Sequence, residues 1–150
     1  MIIYLATDHR GFKLKEKIKK WLKRWNYQYE DMGAFSLDEN DDYPDFISKA
    51  AERVSKNPGN DKGIILGSSG QGEAIVANKY PGVRAVVYYG EAKKVIKLTR
   101  EHNDANILSL GVSFLREKEA KKAIEDWLKT EFSGALRHKR RINKIKKIEK

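Results

Sequence analysis

The stretch Gly63-Ile64-Ile65-Leu66-Gly67-Ser68-Ser69-Gly70-Gln71-Gly72-Glu73-Ala74-Ile75-Val76-Ala77 decides how this chain folds. A short apolar run, a turn rich in glycine and serine, and an alanine-bearing segment read as strand, loop and helix start. Gly67, Gly70 and Gly72, with Ser68 and Ser69, keep the backbone bare, so its N–H groups can close around a phosphate or a developing oxyanion. The spacing is not Gly-x-Gly-x-x-Gly, and no Lys-Ser/Thr pair follows the last glycine as a P-loop requires. Glu73 stands where the anion would sit. A carboxylate beside an oxyanion cradle points to proton abstraction next to a carbonyl. The competing reading is a tight turn with Glu73 as a favourable first-turn acid, and local sequence alone does not separate the two.

Outward from this unit the same alternation repeats. Residues 2–7 read as a first strand, after which Leu14, Ile18, Trp21, Leu22 and Trp25 fall at helical spacing with lysines between them. Residues 27–31 suit a short second strand, followed by an acidic loop over 37–44. Asp38, Asn40 and Asp42 imitate the opening of a calcium loop, but Tyr43 occupies the glycine position and Lys49 that of the closing glutamate, which excludes a metal site there. Pro44 opens a helix whose inner face is Phe46, Ile47, Ala50, Ala51 and Val54. Past the cradle come a fourth strand at 83–89, a helix at 90–100 facing inward with Ala92, Val95, Ile96 and Thr99, and a fifth strand at 107–110. A last long helix at 116–132 buries Ala120, Ala123, Ile124, Trp127 and Leu128. Apolar strands alternating with amphipathic helices predict a doubly wound, Rossmann-like α/β three-layer sandwich with a five-stranded parallel sheet. Residues 1–135 form that domain, with strand order 2-1-3-4-5, and residues 136–150 a basic helical arm.

In that order strands one and three are neighbours, and the crevice opens at their carboxyl ends. The loops meeting there are Asp8-His9-Arg10 and the segment from Gly67 to Glu73, so topology brings titratable residues to the cradle. Of the three histidines, none lies on an apolar face, and His9 is the one placed in the crevice. His102, in Arg100-Glu101-His102-Asn103-Asp104, precedes strand five and so belongs at the opposite edge of the sheet, roughly 16 Å away. One chain does not bring it to Glu73, whereas a two-fold dimer does.

Composition narrows the chemistry. The 150 residues contain no cysteine, which excludes disulfides, thiolate metal sites and a cysteine nucleophile. The N-terminus meets Asp8-His9-Arg10 too early for a signal peptide, and no run approaches the ~20 apolar residues of a membrane span, so a cytoplasmic protein without membrane contact is expected. Net charge is +10, and the last fourteen residues hold eight Lys/Arg against Glu149 alone, so +7 of it lies there. Ile142, Ile145 and Ile148 give that tail one apolar stripe, which suits docking on a second subunit better than gripping nucleic acid. A flavodoxin-like carrier shares the fold class, but a carboxylate within its phosphate loop would repel the ligand.

Five segments in order, Ala6-Thr7-Asp8-His9-Arg10-Gly11, Asp42-Tyr43-Pro44, Gly67 to Glu73 with Ala77-Asn78-Lys79, Arg100-Glu101-His102-Asn103 and Arg137-His138-Lys139-Arg140-Arg141, make the chain resemble the family of ribose-5-phosphate isomerase B and the galactose-6-phosphate isomerase subunits. The resemblance implies aldose–ketose isomerisation of a sugar phosphate through an enediolate, without metal or cofactor, most simply of ribose 5-phosphate, with a hexose 6-phosphate as the alternative. It implies a homodimer or dimer of dimers with shared sites. One branch of the family uses a cysteine as base where this chain has Gly67, and the other a glutamate at the position of Glu73. By the same matching His102 opens the furanose ring, Asp8 places the sugar, and Ser69 assists proton exchange between O1 and O2. Asn103 and the loop at Ser68, Gly70, Gln71 and Gly72 hold sugar oxygens, while His9, Arg137 and Arg141 bind phosphate. The family's common arginine after the fifth strand is replaced by Ser113, so that either Arg116 or Lys139 supplies its charge or the substrate differs in length.

Overall fold

The computed structural model describes residues 1–149 of the chain; Lys150, the last residue of the arm expected at 136–150, lies outside them. Five strands, β1 (Ile3–Thr7), β2 (Tyr29–Asp31), β3 (Lys62–Gly67), β4 (Ala85–Tyr88) and β5 (Ile107–Gly111), pair in parallel throughout. Between and after them run α1 (Phe12–Arg24), α2 (Pro44–Lys56), α3 (Gln71–Ala77), α4 (Lys94–Glu101), α5 (Glu117–Lys129) and α6 (Leu136–Ile148).

The three-layer parallel architecture is as the alternation predicts, but the strand order is β2-β1-β3-β5-β4 instead of 2-1-3-4-5. Burial explains the exchange. Every residue of β5 is buried, as a strand with neighbours on both sides requires, whereas β4 is short and half-exposed along most of its length and takes the edge. The pairing of β1 with β3, on which the crevice depends, is unaffected: Thr7 lies opposite Leu66.

One face of the sheet is covered by α1, α4 and α5, where Ile18, Trp21, Leu22, Ile96, Ile124 and Trp127 pack on Leu5, Leu66 and Leu108. The other is covered by α2 and α3, through Ile47, Ala50, Ala51, Val54 and Ala77 against Tyr4, Ala6 and Ile65. The small residues of α2 let it approach the sheet closely, and Pro44 opens it at the first turn.

Two helices differ from the periodic reading. α4 begins at Lys94, leaving Ala92 and Val95 exposed. Its inner face instead carries Arg100, whose guanidinium donates to Asp104 Oδ1 (2.8 Å) and the carbonyls of Ala105 and Thr130. In α1 the surprise is Lys15, fully buried, with its ammonium bound to the Asp31 carboxylate and the Ala34 carbonyl. Both are long stems whose charged ends find a carboxylate and backbone carbonyls to bond, the condition under which a buried charge is tolerated.

α6 lies on its own chain through three residues. His138 and Ile142 are buried, and the Glu149 carboxylate just beyond the helix accepts the Gly82 N–H at 2.9 Å. Ile145 and Ile148, 44% and 78% exposed, and Leu136 are left uncovered. No helix among the described residues is long and apolar enough to cross a membrane.

Candidate active site

The cradle begins where β3 ends. Gly70 adopts φ 77°, a left-handed conformation open to glycine, and turns the chain into α3. β5 pins this loop from behind: Ser109 Oγ donates to the Gly70 carbonyl (2.7 Å), the Ser113 N–H to the Ser68 carbonyl (3.0 Å), and the Ser68 and Ser113 hydroxyls pair at 2.8 Å. A Cβ at Gly111 would stand 2.5 Å from the Ser69 carbonyl oxygen, so only glycine lets the loop pass. No hydrogen bond among the described residues engages the amides of Ser68, Ser69 or Gly70. They are donors without an acceptor at a place where an oxyanion would fit.

Glu73 is folded back over this loop and is 4% exposed. Its carboxylate lies against Gly67 so closely that a Cβ there would come within 1.8 Å of Oε1. The two positions therefore share one volume: a side chain at 67 and the Glu73 carboxylate exclude each other. Burial pushes the Glu73 pKa up, its own backbone N–H opposes the rise, and the nearby Asp8 charge adds to it. Desolvation therefore outweighs the amide.

Asp8 and His9 face this acid from the end of β1. Asp8 is buried and accepts the Arg10 N–H at 2.9 Å, capping a single 3₁₀ turn at His9–Gly11. His9 Nδ1 lies 2.7 Å from Asp41 Oδ1. The Tyr43 phenol closes the other side, since a Cβ at Gly72 would meet its oxygen at 2.5 Å. Asp8, His9, Ser68, Ser69, Gly70, Gln71, Gly72 and Glu73 thus gather at one edge of the sheet.

The remaining expected residues gather at the other edge. His102 ends α4 and stacks on His138 of α6, ring centroids 4.3 Å apart and planes 18° from parallel. The reading that no histidine lies on an apolar face fails for His138, which is 4% exposed with Nε2 lacking a partner. Its pKa is lowered by burial and by the neighbouring His102, Arg137 and Arg141. The tail's helical period hid this, because charged neighbours mask one inward position. Asn103 borders a cavity of about 590 Å³ that also touches Ile145 and Ile148. Arg137 and Arg141 stand exposed one turn apart on α6. At the fifth-strand position, Ser113 is occupied with Ser68. Arg116 opens α5, its N–H donating to Glu119 Oε2 (2.9 Å), and Lys139 is exposed on α6 at the far edge.

Asp41, Tyr43, Ser109 and His138 were not singled out as site residues from the sequence. Tyr43 and His138 carried a signal, within the Asp42-Tyr43-Pro44 and Arg137-His138-Lys139-Arg140-Arg141 segments; Asp41 is lost in an acidic run whose other members are exposed.

A family model described as Ribose/Galactose Isomerase matches residues 3–145. The probable ribose-5-phosphate isomerase B of Mycoplasma genitalium is 41% identical over 148 residues, covering 99% of this chain and 95% of its own. Ribose-5-phosphate isomerase B of Mycobacterium tuberculosis is 39% identical over 150 residues, covering 100% and 91%. Among solved structures, ribose-5-phosphate isomerase B of Mycoplasma genitalium with bound ribulose-5-phosphate superposes with a TM-score of 0.94 at 40% identity, covering 99% and 95%. The Clostridium thermocellum enzyme superposes at 0.91 with 41% identity, covering 99% and 97%.

Proposed function

The chain belongs to the ribose/galactose isomerase family, and we propose that it interconverts ribose 5-phosphate and ribulose 5-phosphate in a pocket completed by two copies of itself. The observation that carries this reading is the Glu73 carboxylate, buried on Gly67 beside a loop of unengaged amides, with its pKa raised by burial. A desolvated carboxylate is a stronger base than a solvated one, and a base beside preorganised donors is what abstraction of a hydrogen alpha to a carbonyl requires.

In the forward direction His102 donates to the ring oxygen or accepts from the anomeric hydroxyl, opening the furanose, while Asp8 holds the sugar. Glu73 takes the C2 hydrogen as a proton, and the electron pair left behind passes into the C1 carbonyl, whose oxygen becomes anionic. The Ser69–Gly72 loop amides and Asn103 stabilise this enediolate, each well-placed donor contributing about 3 kcal/mol. Ser69 exchanges a proton between O1 and O2, and Glu73 returns its proton to C1, leaving the ketose. Only protons and the substrate's own electrons move. His9, Arg137 and Arg141 bind the phosphate, which holds the reacting carbons in register.

These residues occupy opposite edges of one sheet, so the mechanism needs a partner subunit to bring His102, Asn103, Arg137 and Arg141 to the crevice. The uncovered Ile145 and Ile148, on one face of α6, supply an apolar surface for that contact. Mixing two inactive variants tests this. Glu73→Gln and His102→Asn, refolded together at equal amounts, generate mixed dimers with one intact site, so about a quarter of wild-type activity returns. If no activity returns although mixed dimers form, the shared site is wrong.

A further inference from the structure

The acidic run from Asp38 to Asp42 is solvent-exposed except at one residue. The Asp41 side chain is only 8% exposed, turned inward, and its Oδ2 is buried without a partner. A surface carboxylate has no stabilising reason to be held this way, because desolvation with one oxygen unpaired works against folding. What its other oxygen does is specific. Oδ1 accepts two bonds from the same residue, from the His9 backbone N–H at 3.0 Å and from His9 Nδ1 at 2.7 Å. Thirty-two positions separate the partners, so the contact is made by the fold and not by local chain geometry.

We propose that Asp41 is the positioning residue for His9, locking its imidazole with Nδ1–H inward and Nε2 presented to the phosphate of the substrate. This rests on the assignment of His9 to phosphate binding. A carboxylate is an acceptor only, so the ring nitrogen facing it must carry the proton. The backbone bond fixes where the residue sits, and the ring bond fixes how the imidazole is turned. Nε2, on the far side of the ring, has no protein partner among the described residues. Asp41 does not touch the reacting carbons, so its removal acts on ground-state anchoring: KM rises while kcat stays near that of the wild type.

The test compares Asp41→Ala, Asp41→Asn and His9→Asn by KM, kcat and inhibition by inorganic phosphate. Asp41→Ala raises KM and the phosphate inhibition constant together by about tenfold, about 1.4 kcal/mol, with kcat within about twofold. Asp41→Asn retains an acceptor oxygen for His9 and restores both constants toward the wild type. Adding Asp41→Ala to His9→Asn changes neither further, because the residue it orients is gone. A merely structural role for Asp41 would instead raise KM equally in both backgrounds, and that result overturns the proposal. So does an Asp41→Ala protein with unaltered KM in a background where His9→Asn raises it. Unaltered constants in His9→Asn itself would locate the failure in the phosphate assignment. Should Asp41→Ala not fold, Asp41→Ser, too short to reach Nδ1, takes its place with the same outcomes.

Discussion

At the scale of single residues, two positions compete for one space. Glu73 can lie over Gly67 only because position 67 has no side chain. Gly67→Ala therefore displaces the carboxylate by a distance comparable to a bond length, and kcat falls by about 10²-fold with the fold retained, as stopped assays and circular dichroism will show. Glu73→Gln keeps shape and substrate affinity but removes the base, and its kcat falls by about 10² or more; a residual rate above about a tenth of wild type contradicts the assignment. The same substitution has a thermodynamic signature. A carboxyl group whose folded pKa is raised stabilises the fold below its unfolded pKa, and that contribution is lost as pH rises through the folded value. Glu73→Gln therefore melts at a higher temperature than the wild type at pH 8, and the difference closes as pH falls towards about 4, the unfolded carboxylate range. The cradle is thus less stable with Glu73 ionised, the state that the proposed base requires.

At the scale of elements, the end of β2 is held by a half-buried cluster around Lys15. Asp31 binds Lys15, Lys19 (3.0 Å) and the Gly33 N–H (3.0 Å), which tie α1 to the turn that follows the strand. Burial opposes ionisation of Asp31, but these donors outweigh it and hold its pKa below the usual carboxylate range. Its contribution is present above the unfolded pKa and lost as pH falls through the folded one. Lys15→Ala leaves the carboxylate half-paired inside the protein and costs about 3–5 kcal/mol, a fall in melting temperature of about 10 °C. Asp31→Asn flattens the loss of stability between pH 5 and 2, measurable by denaturant titration at each pH. Surface pairs such as Lys56 with Glu52 contribute little by comparison.

At the scale of the whole molecule, parallel strands place the expected site residues in two sets at opposite ends of one sheet. In the proposed shared site, the exposed Ile145 and Ile148 of α6 are the surface through which a second copy joins the two sets. Replacing Ile145 and Ile148 with Asp leaves each chain folded, because both side chains are exposed within it, but shifts the protein to monomers in sedimentation analysis and abolishes turnover. The acids do this by desolvation, since an unpaired charge does not enter an apolar interface.

The layered parallel fold, the β1–β3 crevice and the presence of Glu73 in a bare loop followed from the sequence, because period, glycine placement and chain connectivity are local properties. So did the separation of His102 from Glu73 across the sheet, since which end of a parallel strand a loop occupies is set by chain order alone. The order of β4 and β5 did not follow, nor did the burial of Lys15, Arg100, Asp41 and His138. Each depends on which partner groups the fold delivers to a strand edge or to a charged atom from distant parts of the chain. The rise in the Glu73 pKa was likewise decided only in three dimensions: the acid could be named from its neighbours along the chain, but the burial that raises its pKa, and the Asp8 charge that adds to it, exist only once the chain has folded.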